Sequence, residues 1–98
     1  MRYDFGWDPK KAKANARKHQ VSFERATTIF RDPHLLSIPD EEHSESEERW
    51  ITMGLDENGI LLVLVHTFEK TLADSARIRI ISARKATKNE SKNYEEGI

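Results

Sequence analysis

The sequence predicts an α+β domain, and three observations carry that prediction. Two helix openings, Asp8-Pro9 and Ser22, stand close together near the N-terminus. Further on, apolar runs of strand length flank Asn58-Gly59, the strongest hairpin signal in the chain. Residues 76–88, ARIRIISARKATK, then alternate like a strand before turning basic. At 98 residues the chain reads as a single domain over its whole length. A domain of this size buries roughly two-thirds of its unfolded surface.

Each element can be justified in order. Tyr3, Phe5 and Trp7 alternate with Asp4 and Gly6, the pattern of a short half-buried strand. A helix over residues 9–19 follows, with Asp8 as cap and Pro9 in its first position. Ala12 and Ala16 form its narrow apolar face with Asn15 and His19 alongside, and lysines occupy the rest. Ser22 caps a second helix, with Val21 placed to pack on Ala26 as a hydrophobic staple. Phe23, Ala26, Thr27 and Phe30 share its core face, and Asp32-Pro33 ends it. Leu35, Leu36 and Ile38 suggest a short strand that Pro39 confines to an edge. Residues 40–48 hold no apolar side chain and are expected to form a mobile acidic loop. Strands are expected over 49–55 and 60–68, the second apolar on both faces until His66 and therefore central. Residues 69–75 read as a polar connection, and a last helix is expected over 83–96 with Ser82 as its cap. That helix has only Ala83, Ala86 and Tyr94 as apolar content and needs a partner surface.

The hairpin allows a geometric expectation. With Asn58-Gly59 as a two-residue loop, Leu55, Met53, Ile51 and Arg49 oppose Leu62, Leu64, His66 and Phe68. Arg49 and His66 then become diagonal neighbours on one face. Trp50, Thr52, Leu61, Val63 and Val65 take the other face, toward the helices. A one-residue change in the turn reverses this assignment.

Charge is distributed unevenly around a net value of −1. Residues 2–31 and the stretch after Arg77 are basic, and residues 40–74 are acidic. This asymmetry implies a basic surface on an otherwise acidic protein, or ends that neutralise the middle. Without cysteine there is neither a disulfide framework nor a thiolate metal site. Nothing resembles a signal peptide, and the apolar run 60–65 is too short to span a bilayer, so a cytoplasmic protein with no membrane association is expected. P-loop, dinucleotide and G-x-S-x-G signatures are absent.

The candidate chemistry is cationic. Arg77 and Arg79 share a strand face about 7 Å apart, near the spacing of successive phosphates on one nucleic-acid strand. Arg84 and Lys85 in the first turn behind Ser82 would suit a bound anion, since a helix N-terminus normally carries acidic residues; the alternative is solvated charge. His66, with Arg49 beside it, offers proton transfer at a phosphodiester. RNA needs no metal for cleavage, because its own 2′-hydroxyl attacks phosphorus when a base, an acid and cations are supplied. The alternative is that His66 caps the core with a hydrogen bond. His19 complements the dipole at its helix end. His43 with Asp40, Glu45 or Glu47 is a conceivable metal site, but the spacing fits no ligand motif, and a solvated loop is the stronger reading.

Three blocks extend these readings: FGWDPKKAKANARKHQVSFERATTIFRDP, DEEHSESEERWITMG and RIRIISARKATKNESKNYE. Together, in order and spacing, they resemble the BrnT family, the toxin half of BrnT/BrnA-type toxin–antitoxin pairs. The matching positions include Trp7, Asp8, Lys18, His19, Phe23, Asp32, His43, Ser44, Arg49, Arg79, Ser82, Arg84 and Glu90. Gln20 departs from the pattern, which has glycine after the Lys-His pair; it must take a left-handed conformation at some cost, or the junction differs. The resemblance implies a RelE-like α+β fold: two N-terminal helices on a mostly antiparallel sheet of four to five strands, and a C-terminal helix. It also implies a ribonuclease that blocks translation. A cognate BrnA-like antitoxin would neutralise it and carry the contacts to operator DNA. Joined to the residue reading, this gives a metal-independent endoribonuclease with no cofactor. Arg79 and Arg84 would hold phosphate, Arg49 would stabilise developing charge, and His66 would move the proton. Arg77, Lys85, Lys18, His19 and Ser82 would extend the RNA surface. The alternative is a non-catalytic antitoxin-binding module or co-repressor.

Overall fold

Both N-terminal helices form where their caps place them. In the computed structural model, which describes residues 1–43 and 47–97, α1 spans Pro9–His19. The Asp8 carboxylate accepts the Lys10 N–H at 2.9 Å. The helix stops at Gln20, which takes the left-handed conformation (φ 55°, ψ 34°) and donates its N–H to Ala16 O at 2.9 Å. Helix α2, Phe23–Thr27, starts under Ser22 Oγ, which accepts the Arg25 N–H at 3.1 Å, and tightens into a 3-10 turn over Thr28–Arg31. Val21, Phe23, Ala26 and Ile29 all point from this segment into the core.

The strands are β1 (Arg2–Gly6), β2 (Leu36–Pro39), β3 (Arg49–Leu55), β4 (Leu61–Thr67), β5 (Glu69–Leu72) and β6 (Ser75–Lys85). Among the described residues they form one six-stranded sheet, ordered β1-β6-β4-β3-β2 with β5 also on β6. Only the β1–β6 pairing is parallel among these residues. The polar stretch expected to be a connection is therefore partly a strand. All four residues of β5 are exposed, so no buried face leaves an alternating signature in the sequence.

Two further expectations are corrected. Ser82 is not a helix cap: β6 continues to Lys85, and the last helix, α3, is Lys88–Glu96. Its cap is Thr87, whose hydroxyl accepts the Glu90 N–H while the Glu90 carboxylate accepts the Thr87 N–H. This reciprocal capping box satisfies two end donors at once, which Ser82 could not do from within a ladder opposite Val65. A bulge at Ile81 conceals the strand, shifting the register between Val65 and His66. Ile78, Ile80 and Ala83 are buried on one side of it.

The hairpin loop is also longer than two residues. Leu55 pairs with Leu61, so residues 56–60 make the turn. Asp56 organises it, accepting the N–H groups of Asn58 at 2.8 Å and Ile60 at 2.9 Å, and ion-pairing with Arg25. The N–H groups of Ile60 and Asn58 and the Arg25 guanidinium hold the Asp56 carboxyl below its ordinary pKa, outweighing the burial that raises it. The resulting one-residue slip pairs Trp50 with His66 and Arg49 with Thr67. Thr52, Leu62, Leu64 and His66 consequently face α1 and α2, while Val63 and Val65 lie on the opposite side with Arg49, Val63 toward α3.

The core unites Val21, Phe23, Ala26 and Ile29 with Leu62, Leu64, Ile78, Ile80 and Ala83. Buried Asn15 ties α1 to β6 beyond the end of β1. Its amide donates to Ala83 O at 2.8 Å and Val21 O at 3.1 Å, and its oxygen accepts the Ala83 N–H at 3.1 Å. One side chain thus occupies the ladder position that a neighbouring strand would fill.

Candidate active site

Alternation along β6 puts Arg77 and Arg79 on the sheet face turned away from α1 and α2, with Ile78 and Ile80 buried behind them. Beside them β4 ends at Thr67, whose hydroxyl accepts the Arg79 N–H at 3.1 Å. Thr67 in turn pairs with Arg49 at the start of β3. Three adjacent strands therefore contribute a row: Arg49, Thr67 and Arg79.

Glu47 closes this row. Its Oε1 accepts a hydrogen bond from Arg79 Nη2 and lies 3.7 Å from Arg49 Nη2, so two guanidinium groups converge on one carboxylate oxygen. Arg77 Nη1 reaches Glu69 Oε1 at 3.2 Å. Glu47, Glu48, Thr67, Phe68, Glu69, Arg77 and Arg79 line an open cavity of about 410 Å³. The Arg79 and Glu47 side chains are 45% and 36% exposed, so solvent screens their attraction. An incoming phosphate can replace the carboxylate with little net loss. Two forked donors on one anionic oxygen suit a phosphodiester and the charge that grows on it during displacement. The surrounding carboxylates are proton acceptors within the same cavity.

Of the residues expected at a site, Arg49, Arg77 and Arg79 come together. His66 does not share their face. It is 2% exposed within the core, edge-on to Phe30 with ring centroids 5.3 Å apart. Its Nδ1 lies 2.9 Å from Thr67 O and its Nε2 lies 2.6 Å from Thr52 Oγ1. A carbonyl only accepts, so Nδ1 carries the hydrogen and Nε2 receives the Thr52 O–H. Burial pushes the imidazole pKa below its ordinary value of 6.5. The ring is accordingly neutral.

Arg84 is also engaged elsewhere. Its guanidinium forks onto Glu90 at 2.7 and 2.9 Å, fastening α3 to β6. Hydrogen bonds from Arg84 bring the Glu90 pKa down from 4.5 to about 2. The helix-end anion site expected from Ser82, Arg84 and Lys85 is therefore not formed. Ser82 is half-buried in β6, Lys85 ends the strand, and neither lines the cavity. Lys18 and His19 close α1, and they too are absent from its lining. Glu45 of the conceivable metal cluster lies with Ser44 and Ser46 of the acidic loop outside the described residues.

Thr67 and Glu69 were not singled out from sequence, and Glu47 was named only as a conceivable metal ligand beside His43. The signal for Thr67 was the length of the hairpin loop, since a five-residue turn sets it opposite Arg49. No comparable signal marks Glu47, which reads as one more acid in an acidic run.

No helix among the described residues is long and apolar enough to cross a membrane. A comparison with curated proteins finds no match. Among solved structures the chain is similar to the 1.1 Å crystal structure of the Brucella abortus ribonuclease toxin, BrnT. That likeness has a TM-score of 0.61 at 17% identity, over 90% of this chain and 100% of the other. Residues 7–90 match the family model for the ribonuclease toxin BrnT of type II toxin–antitoxin systems. With that match spanning most of its length, the chain belongs to the BrnT family of ribonuclease toxins.

Proposed function

We propose that this chain is the cytoplasmic toxin of a type II pair, an endoribonuclease that needs no metal and inhibits translation by cutting RNA. The supporting observation is the convergence of Arg49 and Arg79 on Glu47 Oε1. In this reading the scissile phosphate displaces the carboxylate and takes its two guanidinium partners. The RNA 2′-oxygen bonds to phosphorus as its proton passes to Glu47, and the bond to the 5′-oxygen breaks, that oxygen taking a proton from water. The products are a 2′,3′-cyclic phosphate and a 5′-hydroxyl end. Arg79 and Arg49 stabilise the five-coordinate phosphorus, and Arg77 holds the next phosphate along β6. Glu47 replaces His66 as the proton acceptor, because His66 would have to leave the core and break both ring hydrogen bonds. Arg84 supports the site through α3. The partner is an antitoxin that covers the arginine face and carries the contacts to operator DNA.

The test uses purified chain free of its antitoxin, mixed with RNA in the presence of a chelator. Cleavage with cyclic-phosphate ends is expected, and Arg79→Ala or Arg49→Ala should lower kcat about a hundredfold with unchanged circular dichroism. Intact RNA beside demonstrably folded protein would overturn the reading. Tight operator binding by this chain alone, without cleavage, would favour a co-repressor instead.

A further inference from the structure

A second cavity, of about 240 Å³, opens on the helix-side face of the sheet among Tyr3, Phe30, Ser37, Trp50, His66 and Phe68. Phe68 also lines the arginine cavity, so the two spaces meet at that residue. We propose that this second cavity binds a nucleobase of the RNA strand whose phosphate lies on Arg49 and Arg79. The inference rests on the phosphate reading above and adds a base-binding subsite to it.

Two properties of the walls support this occupant. The first is aromatic area. Tyr3 and Phe30 stand 5.5 Å apart, and with Trp50 and Phe68 they offer flat faces of the kind on which unpaired bases stack. The second is a fixed polar edge. His66 Nδ1–H donates to Thr67 O, so Nε2 takes the only hydroxyl hydrogen of Thr52. Thr52 Oγ1, fully buried, must then accept the hydrogen of Ser37, 2.7 Å away. Ser37 is left with acceptor capacity alone toward the cavity. An acceptor amid aromatic walls matches a base edge, where amino hydrogens lie in the plane of the ring. An aliphatic side chain from a protein partner would leave that acceptor unpaired. Phe68 lines both cavities, so an RNA strand rounding it can carry phosphate on one side and a base on the other.

The probes are the four nucleoside 5′-monophosphates and ribose 5-phosphate, read by fluorescence of Trp50 in the full chain carrying Trp7→Phe. At least one nucleotide should quench Trp50 saturably, while ribose 5-phosphate should not. Phe68→Ala should weaken that binding about tenfold or more. Ser37→Ala, at an exposed edge-strand position where folding is undisturbed, should weaken it severalfold and change the order of preference among bases. Absence of quenching by every nucleotide overturns the pocket, as does unchanged binding in both variants. Quenching by purified antitoxin but not by nucleotides also overturns it and identifies a protein-docking cleft. If nucleotides bind but RNA stays intact, the cleavage reading fails and the pocket stands. If RNA is cleaved without any base binding, the reverse holds.

Discussion

Single residues settle much of this molecule, and Gln20 is the plainest case. A side chain with a Cβ in the left-handed region is strained by roughly 1–2 kcal/mol relative to glycine. Gln20→Gly should therefore raise stability by about 1 kcal/mol, seen as a higher urea midpoint with an unchanged slope. Asn15 carries the opposite lesson. Asn15→Ala would strand the Ala83 N–H and C=O and the Val21 C=O, and should lower stability by about 3 kcal/mol. His66 predicts a pH dependence whose sign follows from its depressed pKa. Below the ordinary value of 6.5 the unfolded chain takes up a proton that the folded chain refuses. Stability should fall as pH drops from 7 toward 5, and His66→Gln should flatten that part of the curve. The caps at Asp8 and Ser22 were legible in the sequence because they depend on neighbours within a few residues, and the strain at Gln20 was one of two outcomes implied by the family resemblance, which has glycine there. Asn15 was not. An amide among alanines does not reveal which distant backbone it will complete.

At the scale of elements, one-residue irregularities decide which residues meet. The β3–β4 loop and the bulge in β6 each add residues to an otherwise alternating pattern. The first carries Arg49 away from His66, and the second lets a strand run past Ser82. Asn58-Gly59 was read correctly as a turn but not in its length, because the Asp56–Arg25 pair that sets the length spans thirty-one residues. Helix α3 shows a related competition: Thr87 and Glu90 had the right spacing, but Ser82 with its basic followers suggested an earlier start. No α3 residue is buried, so polar fastenings hold the helix, chiefly Arg84–Glu90 and the Tyr94 hydroxyl on Asp32. Burial and that bond to Asp32 push the Tyr94 phenol up to about 12. Glu90→Gln should cost about 1 kcal/mol, a figure reduced for partial solvent exposure, and should speed amide exchange in α3. The depressed Glu90 pKa makes its contribution full above 4.5 and progressively lost as pH falls toward 2.

For the molecule as a whole, the sheet divides two kinds of surface. One face holds the core and the aromatic cleft, and the other holds the arginine row. Arg77 and Arg79 were placed correctly on one strand face, and there the basic segment is paired with the acidic middle of the chain, the second of the two expectations drawn from the uneven charge. Net charge concealed the rest, since Glu47 and Glu69 sit directly on those arginines. Glu47→Gln should accordingly tighten RNA binding severalfold while lowering the maximal cleavage rate, a split between KM and kcat that a merely structural acid would not give. The topology also has a consequence for timing. The strand that both β1 and β4 pair with is β6, built from residues 75–85. During synthesis the first strand must wait for the last, and Arg49 has no Arg79 to work with until then. A nascent chain interrupted before residues 75–85 therefore carries no assembled arginine row.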